Sequence, residues 1–185
     1  MKYQIVALLD ENYISGLEGI QKNICKKFRA YKCNPSLYIS LVTTSNADVE
    51  VLNKIILKVL EPYKKFKVNI LNNLHINLNN KQCSIGIAQM GYISRINRAI
   101  IEGLKQNNIS IEGSVINDPA VDLCIPLTSC NYNLKKLSSQ ANIVFNKNMP
   151  ADETLNFVKV NKLEIWKFNG AKFDSVAKSY TLREF

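Results

Sequence analysis

The side chains that could do chemistry are few in this sequence of 185 residues. It has one histidine, His75, so a mechanism that needs two histidines is excluded. The five cysteines include no Cys-x-x-Cys pair, so a zinc site would need an unusual ligand set. We therefore predict no metal and no cofactor, and reduced thiols in a cytoplasm. The cysteines are Cys25, Cys33, Cys83, Cys124 and Cys130.

Two segments, 37–41 and 123–127, share the frame Leu-x-Ile-x-Leu, and each follows a proline. In a strand, the three apolar residues of this frame point to one face and the two intervening residues to the other. Any half-buried strand alternates in this way, so the pattern is consistent with either an internal duplication or two ordinary strands. The intervening residues are Tyr38 and Ser40 in one segment, and Cys124 and Pro126 in the other.

The positive charge is concentrated in the first hundred residues. Of a net +9, residues 1–100 carry 14 basic and 6 acidic groups, a net of +8. Such a patch attracts phosphate groups, but a solvated helix face in a lysine-rich protein gives the same pattern. Only four basic residues are arginine, so sequence-specific reading of DNA is not expected. The clusters are Lys22, Lys26, Lys27, Arg29 and Lys32, then Lys54, Lys58, Lys64, Lys65 and Lys67.

Apolar spacing predicts strands separated by amphipathic helices, hence a mixed α+β sheet protein. No apolar run approaches transmembrane length, the first residues do not read as a signal peptide, and the length suits one domain. Helices are predicted at 12–28, from Ser45 or Asn46 to Pro62, and from 93 to 107, with a short one at 131–142. Strands are predicted at 3–9, 37–42, 66–71, 74–78, 83–88, 109–116, 123–127, 155–168 and 176–182. Turns are predicted at 33–35, 79–81, 117–119 and 169–170.

This order resembles the two-histidine phosphoesterases, which include 2′-5′ RNA ligase-like proteins and cyclic phosphodiesterases. The resemblance spans nearly the whole chain and is carried by the opening 3–10 with its helix, the hairpin 66–88 and the closing strands from 157 onward. It implies an α+β fold of two pseudo-symmetric lobes of antiparallel sheet with outer helices, interleaved in a single domain, 1–185. In the family, each lobe brings a strand bearing His-x-Thr or His-x-Ser to a central cleft.

The chain departs from the family in these motifs. By alignment, Tyr38 and Cys124 stand where the two histidines belong, and Ser40 and Pro126 where the two hydroxyls belong. A phenol has an ordinary pKa of about 10 and a thiol one of about 8.5, so neither is a natural base at neutral pH. Losing one such proton-transfer group costs about 10²–10⁴-fold in rate. Proline has neither a hydroxyl nor an N–H, so only Ser40 keeps its implied role of holding a phosphate oxygen.

Three functions remain open on the sequence. The first is a degenerate member that binds RNA or a nucleotide in the inter-lobe cleft without the usual phosphodiesterase chemistry. The second is an active cyclic phosphodiesterase or RNA ligase with altered catalytic residues, and the third is a protein-interaction scaffold with a vestigial cleft. Tyr38 could equally be a strand tyrosine and Cys124 an inert core thiol. His75 mimics a motif within 74–78, but we expect it to be a structural or surface residue of the hairpin.

Overall fold

The computed structural model describes residues 1–32, 36–77, 81–88, 90–112, 123–129, 157–170 and 172–184. Helices and strands alternate along these residues, so the predicted α+β class is confirmed. The helices are α1 (Ser15–Phe28), α2 (Val49–Leu60) and α3 (Gly91–Gln106). The strands of the described residues are β1 (Lys2–Leu9), β2 (Tyr31–Lys32), β3 (Tyr38–Ser45), β4 (Phe66–Asn77), β5 (Gln82–Ile87), β6 (Ile111–Glu112), β7 (Cys124–Ser129), β8 (Phe157–Asn169) and β9 (Lys172–Thr181).

Helix α1 buries the face that its apolar spacing predicted. Leu17, Ile20 and Ile24 recur every three or four residues and are almost completely buried. The helix begins later than predicted because Glu11–Tyr13 form a separate 3-10 turn, where the Asp10 side chain accepts a hydrogen bond from the Asn12 N–H. The spacing of apolar residues thus located the helix correctly but not its first turn.

Helix α2 begins after Asp48, whose side chain accepts from the Glu50 N–H. The predicted caps, Ser45 and Asn46, were wrong because Ser45 is still part of β3. Helices α2 and α3 pack against each other. The predicted features at 33–35, 117–119 and 131–142 lie outside the described residues, as do most of the 79–81 turn, Cys33 and Cys130.

The strands form one antiparallel sheet in the order β2-β7-β5-β4-β8-β1-β3-β6, with β9 added on β8. Strand β4 joins two halves of this sheet, one made of β2, β7 and β5 and the other of β8, β9, β1, β3 and β6. Its first residues pair with β8 and its later residues with β5. The register shifts between Ile70 and Leu74, where the strand passes from one half to the other. The prediction of two separate strands, 66–71 and 74–78, was therefore wrong.

The two halves of the sheet exchange elements. Strand β2 precedes β3 in the chain but pairs with β7, and β6 precedes β7 but pairs with β3. Helix α1 links β1 to β3 yet packs on β7, where the buried Gln21 Nε2 donates to the Leu127 carbonyl at 2.7 Å. Helix α3 links β5 to β7 yet contacts β3.

The sheet has two different faces. One face packs on the helices and forms the main core, with Ile5, Ile39 and Ile165 among its buried residues. We call the other face, turned away from the helices, the far face. It carries a separate buried cluster of Val6, Leu8, Tyr38 and Trp166. None of the described helices is both long enough and apolar enough to cross a membrane.

Candidate functional site

Strand β3 presents the first pair of predicted site residues on the far face. Tyr38 lies opposite Leu8 and Ser40 opposite Val6 in the ladder with β1, and residues directly opposite share a face. After Ser40 the register shifts, because Leu41 is an extra residue that β1 does not match. Such a β-bulge bends its strand and changes the direction of nearby side chains.

Strand β7 presents the second pair in the same manner. Cys124 lies opposite Gly86 and Pro126 opposite Ser84 in the ladder with β5, and Leu127 is the extra residue of a bulge. Pro126 was expected to disturb this ladder. The strand accommodates it next to the bulge, which is one of the few sheet positions where a missing N–H is tolerated.

The ladder between β1 and β3 recurs in the ladder between β5 and β7. A run of five pairs, including both bulges, has the same order in each. The Leu-x-Ile-x-Leu frames therefore mark a structural duplication and not two ordinary strands. The matched pairs are Gln4–Thr43 with Gln82–Ser129, Ile5–Val42 with Cys83–Thr128, Val6–Ser40 with Ser84–Pro126, Ala7–Ile39 with Ile85–Ile125, and Leu8–Tyr38 with Gly86–Cys124.

Strands β3 and β7, which we call the motif strands, run beside each other although they share no ladder. Their Cα atoms approach within 8 Å, while their hydrogen-bonded neighbours are other strands. The four predicted positions lie on these two adjacent strands, and we call the place where the strands pass each other the junction. Tyr38 is 4% exposed, Ser40 and Cys124 are partly exposed, and Pro126 is buried.

Known proteins resemble this chain in structure. No protein-family model and no curated sequence matches it. TT0787 of Thermus thermophilus aligns over 100% of this chain and 99% of its own, with a TM-score of 0.65 and 11% identity. Usb1 of Kluyveromyces marxianus aligns over 98% of this chain and 97% of its own, with a TM-score of 0.58 and 12% identity. LigT of E. coli complexed with 3′-AMP aligns over 99% of this chain and 98% of its own, with a TM-score of 0.55 and 9% identity.

The chain has the fold of the two-histidine phosphoesterases. The family resemblance noted in the sequence is thus confirmed for the fold. At these sequence identities the likeness is one of architecture, and the chemistry has to be argued from this chain's own side chains.

Ser40 has a polar neighbour that sequence reasoning missed. Gln4 Nε2 on β1 donates to Ser40 Oγ at 2.8 Å. A hydroxyl oxygen that accepts a hydrogen bond still has its own hydrogen to donate. Gln4 therefore fixes Ser40 as a potential donor toward an anion. The available signal was a polar residue inside the apolar run 3–9, at a position that alternation sends to the far face.

A carboxylate also lies on the far face of this sheet. Glu164 is 6% exposed. Its oxygens accept from Trp166 Nε1 at 2.7 Å and Ser179 Oγ at 3.2 Å, and lie 3.0 Å from Lys162 Nζ. Buried charges are stable when paired and hydrogen-bonded in this way. The sequence signal was an acid between Leu163 and Ile165 in an apolar strand, which we had not singled out.

His75 lies outside the motif strands. It is an exposed residue of β4, opposite Ser84 in the ladder with β5. Ser84 lies in turn opposite Pro126, so two strand spacings separate His75 from β7. Its predicted place in the hairpin, at the surface, is confirmed. The imidazole is thus not in either motif histidine position.

The basic clusters of the first half lie mainly on the outer side of the molecule. The cations of α1 and α2 are exposed on helices that pack on the core face, so they point away from the motif strands. Three lysines lie on the far face instead. Lys67 Nζ lies 4.0 Å from the Phe157 ring centre, and Lys159 is opposite Lys67 in the ladder between β4 and β8. The third is Lys162, the partner of Glu164. Two of these three lysines come from the second half of the chain.

The thiols form no metal centre in the part of the chain that the structure describes. Cys25, Cys83 and Cys124 are not in disulfides. Across the described ranges, no three His, Cys, Asp or Glu side chains converge in a way that could hold a metal ion. Cys83 is completely buried in the core, whereas Cys124 is partly exposed at the start of β7.

Proposed function

We propose that this chain, acting as a single domain of two interleaved lobes over residues 1–185, binds RNA or a nucleotide through a phosphate group at the junction of the motif strands. It does so without the usual phosphodiesterase chemistry. The observation that carries the proposal is the hydrogen bond from Gln4 Nε2 to Ser40 Oγ, which leaves the serine O–H able to donate to a phosphate oxygen. Phosphate oxygens are good acceptors for such oriented hydroxyls.

The surroundings of Ser40 support binding and argue against turnover. Opening a cyclic phosphate needs one group to take a proton from the nucleophile and another to give one to the leaving oxygen. At the positions that the sequence alignment assigns to the two family histidines, Tyr38 is buried against Trp166 and Cys124 is a thiol. Pro126 adds no donor. LigT, which shares the fold, was crystallised with 3′-AMP, with ATP and with phosphate, and a nucleotide ligand for this chain follows that precedent.

Binding is tested by titrating short single-stranded RNA and 3′-AMP at two salt concentrations. We expect affinity that falls as salt rises, because phosphate contacts release counterions. Ser40→Ala and Gln4→Ala should each weaken binding several-fold. Ser175→Ala, an exposed hydroxyl elsewhere on β9, is the matched control and should bind as the wild type does. Absence of salt-dependent binding for every ligand would falsify the proposal.

Chemical silence is tested separately with a panel of 2′,3′-cyclic nucleotides. The wild type should give no turnover above background. Replacing Tyr38 and Cys124 with histidine and Pro126 with threonine restores both family motifs, and we expect this variant to gain measurable hydrolysis. Turnover by the wild type that disappears in Ser40→Ala and Tyr38→Phe would instead establish an active enzyme with altered catalytic residues.

A further inference from the structure

A row of aromatic rings crosses the far face from the motif position Tyr38 toward solvent. The ring centres of Tyr38 and Trp166 are 4.7 Å apart, and those of Trp166 and Phe173 are 5.1 Å apart. Phe168 flanks the outer end, at 6.1 Å from Phe173. These separations are within the range of favourable aromatic contacts, and the last two are edge-on. The row thus leads from Tyr38 on a motif strand to the β8–β9 hairpin.

Exposure increases along this row. Tyr38 and Trp166 are both 4% exposed, so neither ring has a face open to a ligand. Phe173 is 36% exposed, and its far-face neighbour Val176 is 45% exposed. Any stacking on a base therefore has to happen at the outer end of the row and not at Tyr38.

Phe173 is held by its neighbours instead of moving freely in water. Trp166 and Phe168 meet it at interplanar angles of 69° and 81°, so neither is stacked parallel to it, and the Phe173 side chain keeps 36% of its surface exposed. Trp166 is fixed in turn by its hydrogen bond to Glu164. A ring that is already ordered loses little conformational entropy when a ligand binds.

We propose that Phe173 is the base-stacking platform of this site, and that the ligand is a single-stranded oligoribonucleotide and not a mononucleotide. The proposal rests on the function proposed above, with the phosphate held at Ser40 and Gln4. Phe173 lies two ring contacts beyond Tyr38, the residue of β3 that shares the far face with Ser40. In this proposal, the base on Phe173 and the phosphate at Ser40 belong to different nucleotides. Base–aromatic stacking accepts every base, since each has a flat π-face.

The test compares 3′-AMP with an RNA trinucleotide, by calorimetry and by anisotropy of a labelled strand. The wild type should bind the trinucleotide more tightly than 3′-AMP. Phe173→Ala and Phe173→Leu should each weaken trinucleotide binding by about 5- to 150-fold and leave 3′-AMP binding unchanged. Phe173→Tyr keeps the ring and should restore the affinity. Phe173→Leu keeps an apolar side chain, which separates loss of stacking from loss of folding.

Tyr92→Ala is the matched control. Tyr92 is an aromatic residue of α3, 50% exposed and in edge contact with Tyr63 and Phe66, away from the far face. This variant should bind both ligands as the wild type does. If Ser40→Ala weakens trinucleotide binding and Phe173→Ala does not, the proposed stacking on Phe173 is wrong, while the proposed phosphate site at Ser40 is supported. If the wild type binds neither ligand, the proposed function itself fails.

Discussion

Leu41 and Leu127 are the extra residues of two matched β-bulges, one on each motif strand. Each bulge follows directly after a position that the sequence alignment assigns to a family hydroxyl, Ser40 in one strand and Pro126 in the other. Bulges are common beside functional sites because they redirect a side chain out of the regular pleat. The chain therefore has the same backbone feature after both aligned positions, while only one of them carries a hydroxyl.

The bulge at Leu127 depends on a side chain of α1. Gln21, 3% exposed, donates to the Leu127 carbonyl, and we expect Gln21→Ala to lower the free energy of unfolding by about 1–3 kcal/mol. Gln21→Leu keeps volume but cannot donate, so it should lose nearly as much. Lys22→Ala, exposed on the same helix, should change stability by less than about 0.5 kcal/mol. Urea denaturation measures all three, and wild-type stability in Gln21→Leu would rule out the hydrogen bond as the cause.

The crossing of α2 and α3 depends on a glycine. A Cβ on Gly103 would lie 2.7 Å from Ile55 Cγ2, a contact that a stiff β-branched side chain cannot relieve. Alanine would gain up to about 1 kcal/mol in helix propensity, but overpacking costs about 1–3 kcal/mol. Gly103→Ala should therefore lower the thermal midpoint.

The matched control is Gly19→Ala in α1, where nothing lies within 4 Å of the added Cβ. This variant should be more stable than the wild type by about 0.5–1 kcal/mol. In an Ile55→Ala background, Gly103→Ala should change sign and become stabilising. A destabilising effect that persists in that background would show that the clash with Ile55 is not its source.

The carboxylate of Glu164 holds the only tryptophan of the chain, so its replacement has an optical readout. Glu164→Leu removes the acceptor of the indole N–H and should shift Trp166 emission while costing about 1–3 kcal/mol. Glu164→Gln keeps an acceptor and should shift the emission less. The control is Glu50→Gln, because Glu50 pairs with Lys178 at the surface and such pairs contribute about 0–1 kcal/mol. Unaltered emission in Glu164→Leu would contradict the assigned contact.

The raised pKa of Tyr180 predicts how the free energy of unfolding changes at alkaline pH. Burial, and secondarily the charge of Glu50, raise the pKa of Tyr180 to about 12 from the ordinary 10.0, and its hydroxyl donates to Asn53 Oδ1 at 2.8 Å. The unfolded chain therefore ionises first, so this contribution to stability is complete below pH 10 and is lost as pH rises toward 12.

Tyr180→Phe should flatten the decline of the unfolding free energy with pH in that window. Tyr31→Phe, at a tyrosine that is 64% exposed, should leave the decline as it is in the wild type. Denaturant titrations at several alkaline pH values measure both. An equal slope in Tyr180→Phe and the wild type would assign the decline to other groups.

The helices and the motif strands could be predicted because their apolar periodicity is local. Leu17, Ile20 and Ile24 mark the buried face of α1 without reference to any other part of the chain. The continuity of β4 could not be predicted, since Asn72 and Asn73 read as a break between two strands in the sequence. They belong to one strand that changes its pairing partner near this point. Gln4 and Glu164 were missed for a related reason. The role of Gln4 depends on the strand beside β1, and part of the role of Glu164 depends on the strand that brings Ser179 opposite it, although its contacts with Lys162 and Trp166 lie within β8. Single-sequence alternation does not reveal neighbouring strands.

The position of β8 has a consequence for how the chain reaches its native state. This strand lies between β1 and β4, and its residues come long after theirs in the chain. Until β8 is available, both neighbours present unpaired backbone edges, which invite pairing with other molecules. Long-range pairing of this kind also slows folding. We therefore expect fragments that stop before β8 to aggregate, and a chaperone to matter most during the interval before that strand inserts.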